Sequence, residues 1–163
     1  MPNEQTYAEN KGVHNSYDIL DKYEAGLVLH GYEVKAVLAG KISLRGAYVT
    51  VKSGGSGGAT GRSSAKAQLV GATISPYQEN NVPESYNPKR ARTLLLGRAE
   101  LRALVGLSQQ KGLTLVPLSV YNKNSKIKLE FAVGKGLKKH DQREKLKTKE
   151  FKRRKQQLDG RRR

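Results

Sequence analysis

Cysteine is absent from the 163 residues, which removes disulfides, thiolate zinc sites and cysteine nucleophiles together and suits a reducing compartment. No run of about twenty apolar residues occurs, the length a helix needs to cross a bilayer, and the opening MPNEQTYAENKGV holds no apolar stretch of signal-peptide length. Acid is scarce: 14 Asp and Glu stand against 31 Lys and Arg, leaving a net charge of +17. The expectation is a soluble cytoplasmic protein, a monomer with no membrane contact, whose partner is a polyanion.

Recognisable reaction chemistry is missing too. His14, His30 and His140 lie far apart, none at H-x-x-x-H spacing, so no metal site is assigned. Glu24 and Glu33 are the one carboxylate pair that folding could assemble, but Glu33, between Tyr32 and Lys35, reads as a salt-bridge or RNA-hydroxyl residue on an exposed basic helix. SGGATGRS at 56 to 63 approaches the phosphate-loop pattern G-x-x-x-x-G-K-[ST]. It lacks the first Gly, has Arg62 for the Lys, and precedes a strand-like segment that offers no helix N-terminus to a phosphate. No nucleophile and base pair up, so neither an enzyme nor a cofactor is expected.

What the chain has is basic charge in two places. Residues 134 to 163 hold fourteen Lys and Arg against four acids, net +10, and the body at 1 to 133 is itself net +7. Each Lys or Arg on a phosphate releases a counterion whatever the base, so two basic surfaces imply two contacts with nucleic acid. The tail's large apolar groups are Leu137, Leu146, Phe151 and Leu158. They are too few to offset roughly 1–2 kcal/mol of ordering entropy per residue, so the tail is expected to be unfolded when free.

The body reads as short strands at Tyr17–Leu20, Ala25–Leu29, Ala47–Val51, Ala67–Ile74 and in two segments of Gly112–Val133, with helices at Tyr32–Ala39 and Leu94–Gln109. Pro117 inside the first of the last two strands points to an edge or a bulge. A Gly/Ser connector fills 53 to 66. Locally joined strands with few helices predict a mainly β, oligonucleotide-binding-like antiparallel barrel at 1–133, two or three flanking helices, and a separate basic tail at 134–163. In the proline-punctuated stretch after Ile74, Tyr77 and Tyr86 stand among Lys89, Arg90 and Arg92, a composition suited to stacking bases and holding phosphates.

NKGVHNSYDI at 10 to 19, YEAGLVLHGYEVKAVLAGK at 23 to 41, PKRARTLLLGRAEL at 88 to 101, GLTLVPLSVY at 112 to 121 and GKGLKKHDQRE at 134 to 144 together resemble the SmpB family. These are the tmRNA-binding proteins of bacterial trans-translation. The resemblance implies a barrel that binds the tRNA-like part of tmRNA (SsrA RNA) and brings it to stalled ribosomes. It implies a tmRNA face at Glu33, Lys35, Gly40, Lys41, Arg90, Arg92, Leu95 and Leu96. It also implies a tail that becomes helical in the empty mRNA channel against ribosomal RNA of the decoding region, through Lys138, Lys139, His140, Asp141, Arg143, Lys145, Lys149, Arg153 and Arg154. Pairs Asp141/Lys145 and Glu150/Arg154 at i,i+4 favour that helix. The chain departs from the family pattern at Leu38, Thr93, Gly97, Leu137 and Gln142, and Asn15 stands where the family's usual His does. A basic ribosomal or other structural RNA-binding protein would share the barrel and the tail.

The Gly/Ser connector offers no stacking group. Replacing Gly54–Ser64 by a two-residue turn is expected to leave affinity for tmRNA within about tenfold, ~1.4 kcal/mol. A hundredfold loss in a filter-binding titration would make the connector a contact.

Overall fold

The structure, a computed structural model, describes residues 4–54 and 65–160; the phosphate-loop-like segment and most of the Gly/Ser connector lie outside them. In chain order the elements are β1 (Thr6–Glu9), α1 (Val13–Ser16), β2 (Tyr17–Leu27), α2 (Gly31–Leu38), β3 (Ile42–Ser43), β4 (Tyr48–Lys52), β5 (Lys66–Val70) and β6 (Thr73–Ile74). After a short 3₁₀ turn at Glu79–Asn81 come β7 (Arg92–Leu95), α3 (Arg98–Ser108), β8 (Leu113–Lys123), β9 (Lys126–Gly136) and α4 (Lys139–Gly160).

The antiparallel ladders run β8–β4–β5–β7–β2–β9 and return to β8, so six strands close on themselves, with β1 added outside on β8 and β3–β6 forming a separate pair. Closure removes the open edges that an antiparallel sheet otherwise presents to other chains. Strict alternation along β9 puts Leu129, Phe131 and Val133 inside, where they meet Leu69, Leu115, Val120 and Ala25. Ala36 and Val37 of α2 and Leu104 of α3 plug the same core. Pro117 sits at a bulge: pairing steps from Pro117–Phe131 to Ser119–Glu130, leaving Leu118 over. The extra residue reverses which face of β8 points inward. Leu115 and Val120 therefore enter the main core, while Val116 and Leu118 join Val13 and Ala132 in a second cluster beneath α1.

Four expectations are corrected. The segment read as two strands broken at Asp21–Glu24 is one strand, β2; a bulge between Ile19 and Asp21 ejects Leu20, and the charged Lys22 and Glu24 then alternate outward against Tyr23 and Ala25. Leu94–Leu96 does not open the helix, because Leu94 and Leu95 belong to β7. The helix begins only after Gly97, whose N–H donates to the Glu100 carboxylate at 3.1 Å. The strand expected over 67–74 breaks at Gly71, φ +80°, where the Gly46 carbonyl lies 3.1 Å from the position a Cβ would take. The boundary placed after Val133 falls inside β9, which pairs on both sides beyond it and with β2 as far as Gly136. The polar leader, assigned no structure from sequence, supplies β1 and α1.

The α2 helix ends in a double bond pattern: Gly40 N–H donates to the Val37 carbonyl and Lys41 N–H to the Ala36 carbonyl, both at 2.9 Å. The left-handed turn this needs falls on Gly40, φ +77°. Gly40→Ala is expected to lower stability by roughly 1 kcal/mol, since a Cβ strains that conformation. Urea melts showing no loss would mean the turn relaxes freely.

Candidate nucleic-acid interface

The α2 helix is half sunk in the fold. Glu33, Ala36 and Val37 are buried, while Lys35 and Leu38 face outward and Tyr32 is half-buried. The expectation of an exposed helix therefore fails for Glu33, which is 1% exposed. Its carboxylate accepts from the His30 backbone N–H at 3.1 Å, from Arg92 Nε at 2.8 Å and from Arg90 Nη2. Arg92, 0% exposed, donates further to the Ala72 carbonyl at 2.9 Å and the Pro88 carbonyl at 3.0 Å. Burial on its own would raise the Glu33 carboxyl; the bonds from Arg90, the His30 N–H and Arg92, with the Arg92 charge, outweigh it and hold the group below the usual carboxylate range. Glu24 lies elsewhere, so the Glu24–Glu33 carboxylate pair does not form. Neither Glu33 nor Arg92 offers surface to RNA; both fix α2 against the 72–92 segment.

That placement opens a groove of about 440 Å³ between α2 and residues 77–82, lined by Tyr32, Lys35, Tyr77 and Gln78 among others. Tyr77 is 47% exposed. Beside it, Lys41 Nζ lies 5.9 Å from the ring centre and donates to the carbonyls of Pro76 and Tyr77 at 3.3 Å. Tyr86, the other aromatic of the stretch, is committed to the fold: its hydroxyl donates to the Ile74 carbonyl and its ring meets Tyr32 edge-on. Arg90 is half-buried and Lys89 exposed.

The three leucines after Thr93 part ways. Leu94 is core, Leu96 packs against the core half-buried, and Leu95 stands 61% exposed over Gly26. Strand register then draws a row across the outer face of the barrel: Leu95 opposite Gly26, Gly26 opposite Lys128, Lys128 opposite Tyr121. At the end of that row the Tyr121 hydroxyl donates to Glu24, which also pairs with Lys123 at 3.1 Å. The Tyr121 bond lowers the Glu24 carboxyl, against burial and with help from Lys123, while burial and that same bond push the Tyr121 hydroxyl up. Sequence reading missed Lys128 and Tyr121. The signal was there in β9, where Lys126, Lys128 and Glu130 must face away from Ile127, Leu129 and Phe131.

The tail, expected to be unfolded when free, is instead a helix over Lys139–Gly160, because a helix satisfies its backbone groups within itself and needs no packed apolar face to do so. Lys138, Lys139, His140, Asp141, Arg143, Lys145, Lys149, Arg153 and Arg154 are all exposed. The anticipated pairs Asp141/Lys145 and Glu150/Arg154 are not among the ion pairs of the described residues: Lys145 turns to Asp18 at 3.9 Å, and Glu144 takes an i,i+4 contact with His140 at 3.7 Å. Exposed pairs are worth too little to dictate a rotamer.

A family profile described as SmpB protein matches residues 7–160. The SsrA-binding protein of Acetivibrio thermocellus is 44% identical over 137 residues, covering 84% of this chain and 81% of its own, and that of Thermosynechococcus vestitus is 41% identical over 146 residues, covering 90% and 89%. A solved structure described as "tmRNA-SmpB: a journey to the center of the bacterial ribosome" is similar with a TM-score of 0.61 at 36% identity, covering 80% of this chain and 84% of that one.

Glu33→Gln strands the buried Arg92 charge and is expected to cost about 3–5 kcal/mol. Because the folded Glu33 carboxyl titrates low, its contribution is complete above the ordinary carboxylate value of about 4.3 and disappears as pH falls through the folded value. The stability gap between wild type and variant in urea should therefore narrow in acid; a gap that widens there would refute the ion-pair account.

Proposed function

The chain belongs to the SmpB family, and on that footing we propose that it binds the tRNA-like domain of tmRNA and delivers it to stalled ribosomes for trans-translation. It acts in the cytoplasm by binding, with no catalysis of its own. One observation carries the division of labour: a barrel with its own closed core has Lys35 and Lys41 exposed beside the α2 groove, and a second basic element, α4, leaves it almost wholly exposed.

The tmRNA face has two parts. Lys35 and Lys41 reach phosphates along the α2 groove, with Tyr77 as the stacking surface and Gly40 keeping the backbone turn tight beneath the RNA. Leu95, Lys128 and Tyr121 add an apolar and basic strip on the adjoining sheet. Glu33, Arg92 and the half-buried Arg90 act through the fold, by holding α2 in place. Leu96 supports Leu95 from the core.

The tail carries out the second task. At 1.5 Å per residue, the 22 residues of α4 extend roughly 33 Å. Basic side chains are distributed round the helix, as suits a channel lined by RNA on every side. Ribosomal RNA supplies the anionic wall; no apolar face is needed, and none wide enough to pack exists among the described residues of the helix.

Lys35→Ala with Lys41→Ala is expected to flatten the plot of log affinity against log salt by roughly two units, about 0.9 for each phosphate no longer neutralised. Leu95→Ala is expected to weaken binding with stability unchanged within about 0.5 kcal/mol. Truncation after Leu137, which spares all of β9, should leave a folded barrel that still binds tmRNA but no longer supports peptide tagging on stalled ribosomes. Near-normal tagging by the truncated protein would reject the role given to the tail.

A further inference from the structure

Leu137, between β9 and the tail helix, has both backbone polar groups committed. Its N–H donates to the Ser16 carbonyl of α1 at 2.9 Å, and its carbonyl accepts from the Gln142 side-chain amide at 3.0 Å. Gln142 N–H in turn donates to the Lys138 carbonyl at 3.0 Å, the first bond of the helical ladder. Gln142 is also half-buried, whereas the neighbouring tail residues are exposed. In helix positions, Leu137 precedes the cap Lys138 and Gln142 is the fourth helical residue. Those two places are the ones an apolar staple commonly joins to fix how a chain enters a helix. Here a side-chain hydrogen bond to a backbone carbonyl spans the same two places, and the far side of the joint is already tied to α1. Asp141 in the first turn adds a charge of the sign the helix N-terminus prefers.

Starting a helix is the unfavourable step, with a nucleation constant of about 10⁻³, and each further residue then adds at little cost. We infer that Gln142 is a positioning residue that nucleates the tail helix on the barrel, holding the first turn formed and aimed before any ribosome is met. Beyond this joint α4 has only its own backbone ladder and exposed side chains to hold it, so its far turns are expected to fray in solution. The channel wall then has to propagate a helix whose start and direction are already set. Lys145–Asp18, an exposed contact at 3.9 Å, contributes little to this.

The inference rests on the reading of the tail as the channel-occupying element, but its first test does not. In the full-length free protein, NMR should show helical shifts and slowed amide exchange for Arg143, Glu144 and Lys145, with coil-like shifts beyond Thr148. Gln142→Glu keeps the shape but cannot donate to a carbonyl when ionised. It and Gln142→Ala are expected to reduce that protection about tenfold, with barrel melting temperature and tmRNA affinity unchanged, and to slow peptide tagging on ribosomes stalled at truncated messages. Gln142→Lys retains a donor and should restore both the protection and the tagging rate. Equal protection in wild type and Gln142→Glu would overturn the inference, as would a Lys variant no better than Ala. If protection falls as expected while tagging is unaffected, the nucleus exists and the channel reading of the tail is what fails.

Discussion

Everything the α2 groove can do depends on one buried charge cluster. The Glu33 carboxylate receives donors from His30, Arg90 and Arg92, and Arg92 passes the connection on to the carbonyls of Ala72 and Pro88. A buried ion pair of this kind is weak evidence for net stability, because desolvation offsets much of its attraction. Its use lies in geometry. A guanidinium with its donors matched leaves few alternative ways to seat the helix, so the spacing between Lys35 and the 76–82 segment is set from below, chiefly by Glu33 and Arg92, which are shut off from solvent.

The two proposed RNA surfaces are built on different principles. The barrel face is preorganised: rigid strands, a capped helix and a satisfied ion cluster fix its side chains before binding, so little ordering entropy is lost on contact. The tail is a helix with no packed face, and its charge is spread round the axis rather than gathered on one side. A rigid face discriminates one folded RNA from others; a pliant cationic rod adapts to any conduit of phosphates of the right width. The division between shape recognition and adaptable charge follows from where the apolar residues are: abundant in the body, nearly absent after Leu137.

Much of this was legible in the residues. Alternation exposed β9, the Gly40 stop closed α2, Pro117 announced its bulge, and the charge count separated tail from body. Misreadings came where local pattern and long-range packing disagree. Glu33 looked solvent-facing because its partners stand 57 and 59 residues away, and nothing nearby reports them. The leucine run looked helical because periodicity cannot distinguish a four-residue strand from the first turn of a helix. The DKYE stretch looked like a break because a single ejected residue, Leu20, puts the alternation out of phase. Lys128 and Tyr121 lay in strands correctly recognised, but their neighbours across the sheet depend on register, which one sequence does not reveal.

The ladder between β2 and β9 joins Tyr17 to Gly136 and Gly26 to Lys128, so the ring cannot shut until nearly the whole body exists. Closing loops of that span before their contacts form slows folding relative to locally wired folds. On a chain made from its N-terminus, β2 emerges early and must wait for its longest partner. The charges alternating along its outer face keep that waiting strand from pairing with another nascent chain. Such a barrel is thus a late-maturing product of translation, unable to close before β9 has been made, however early β2 appears.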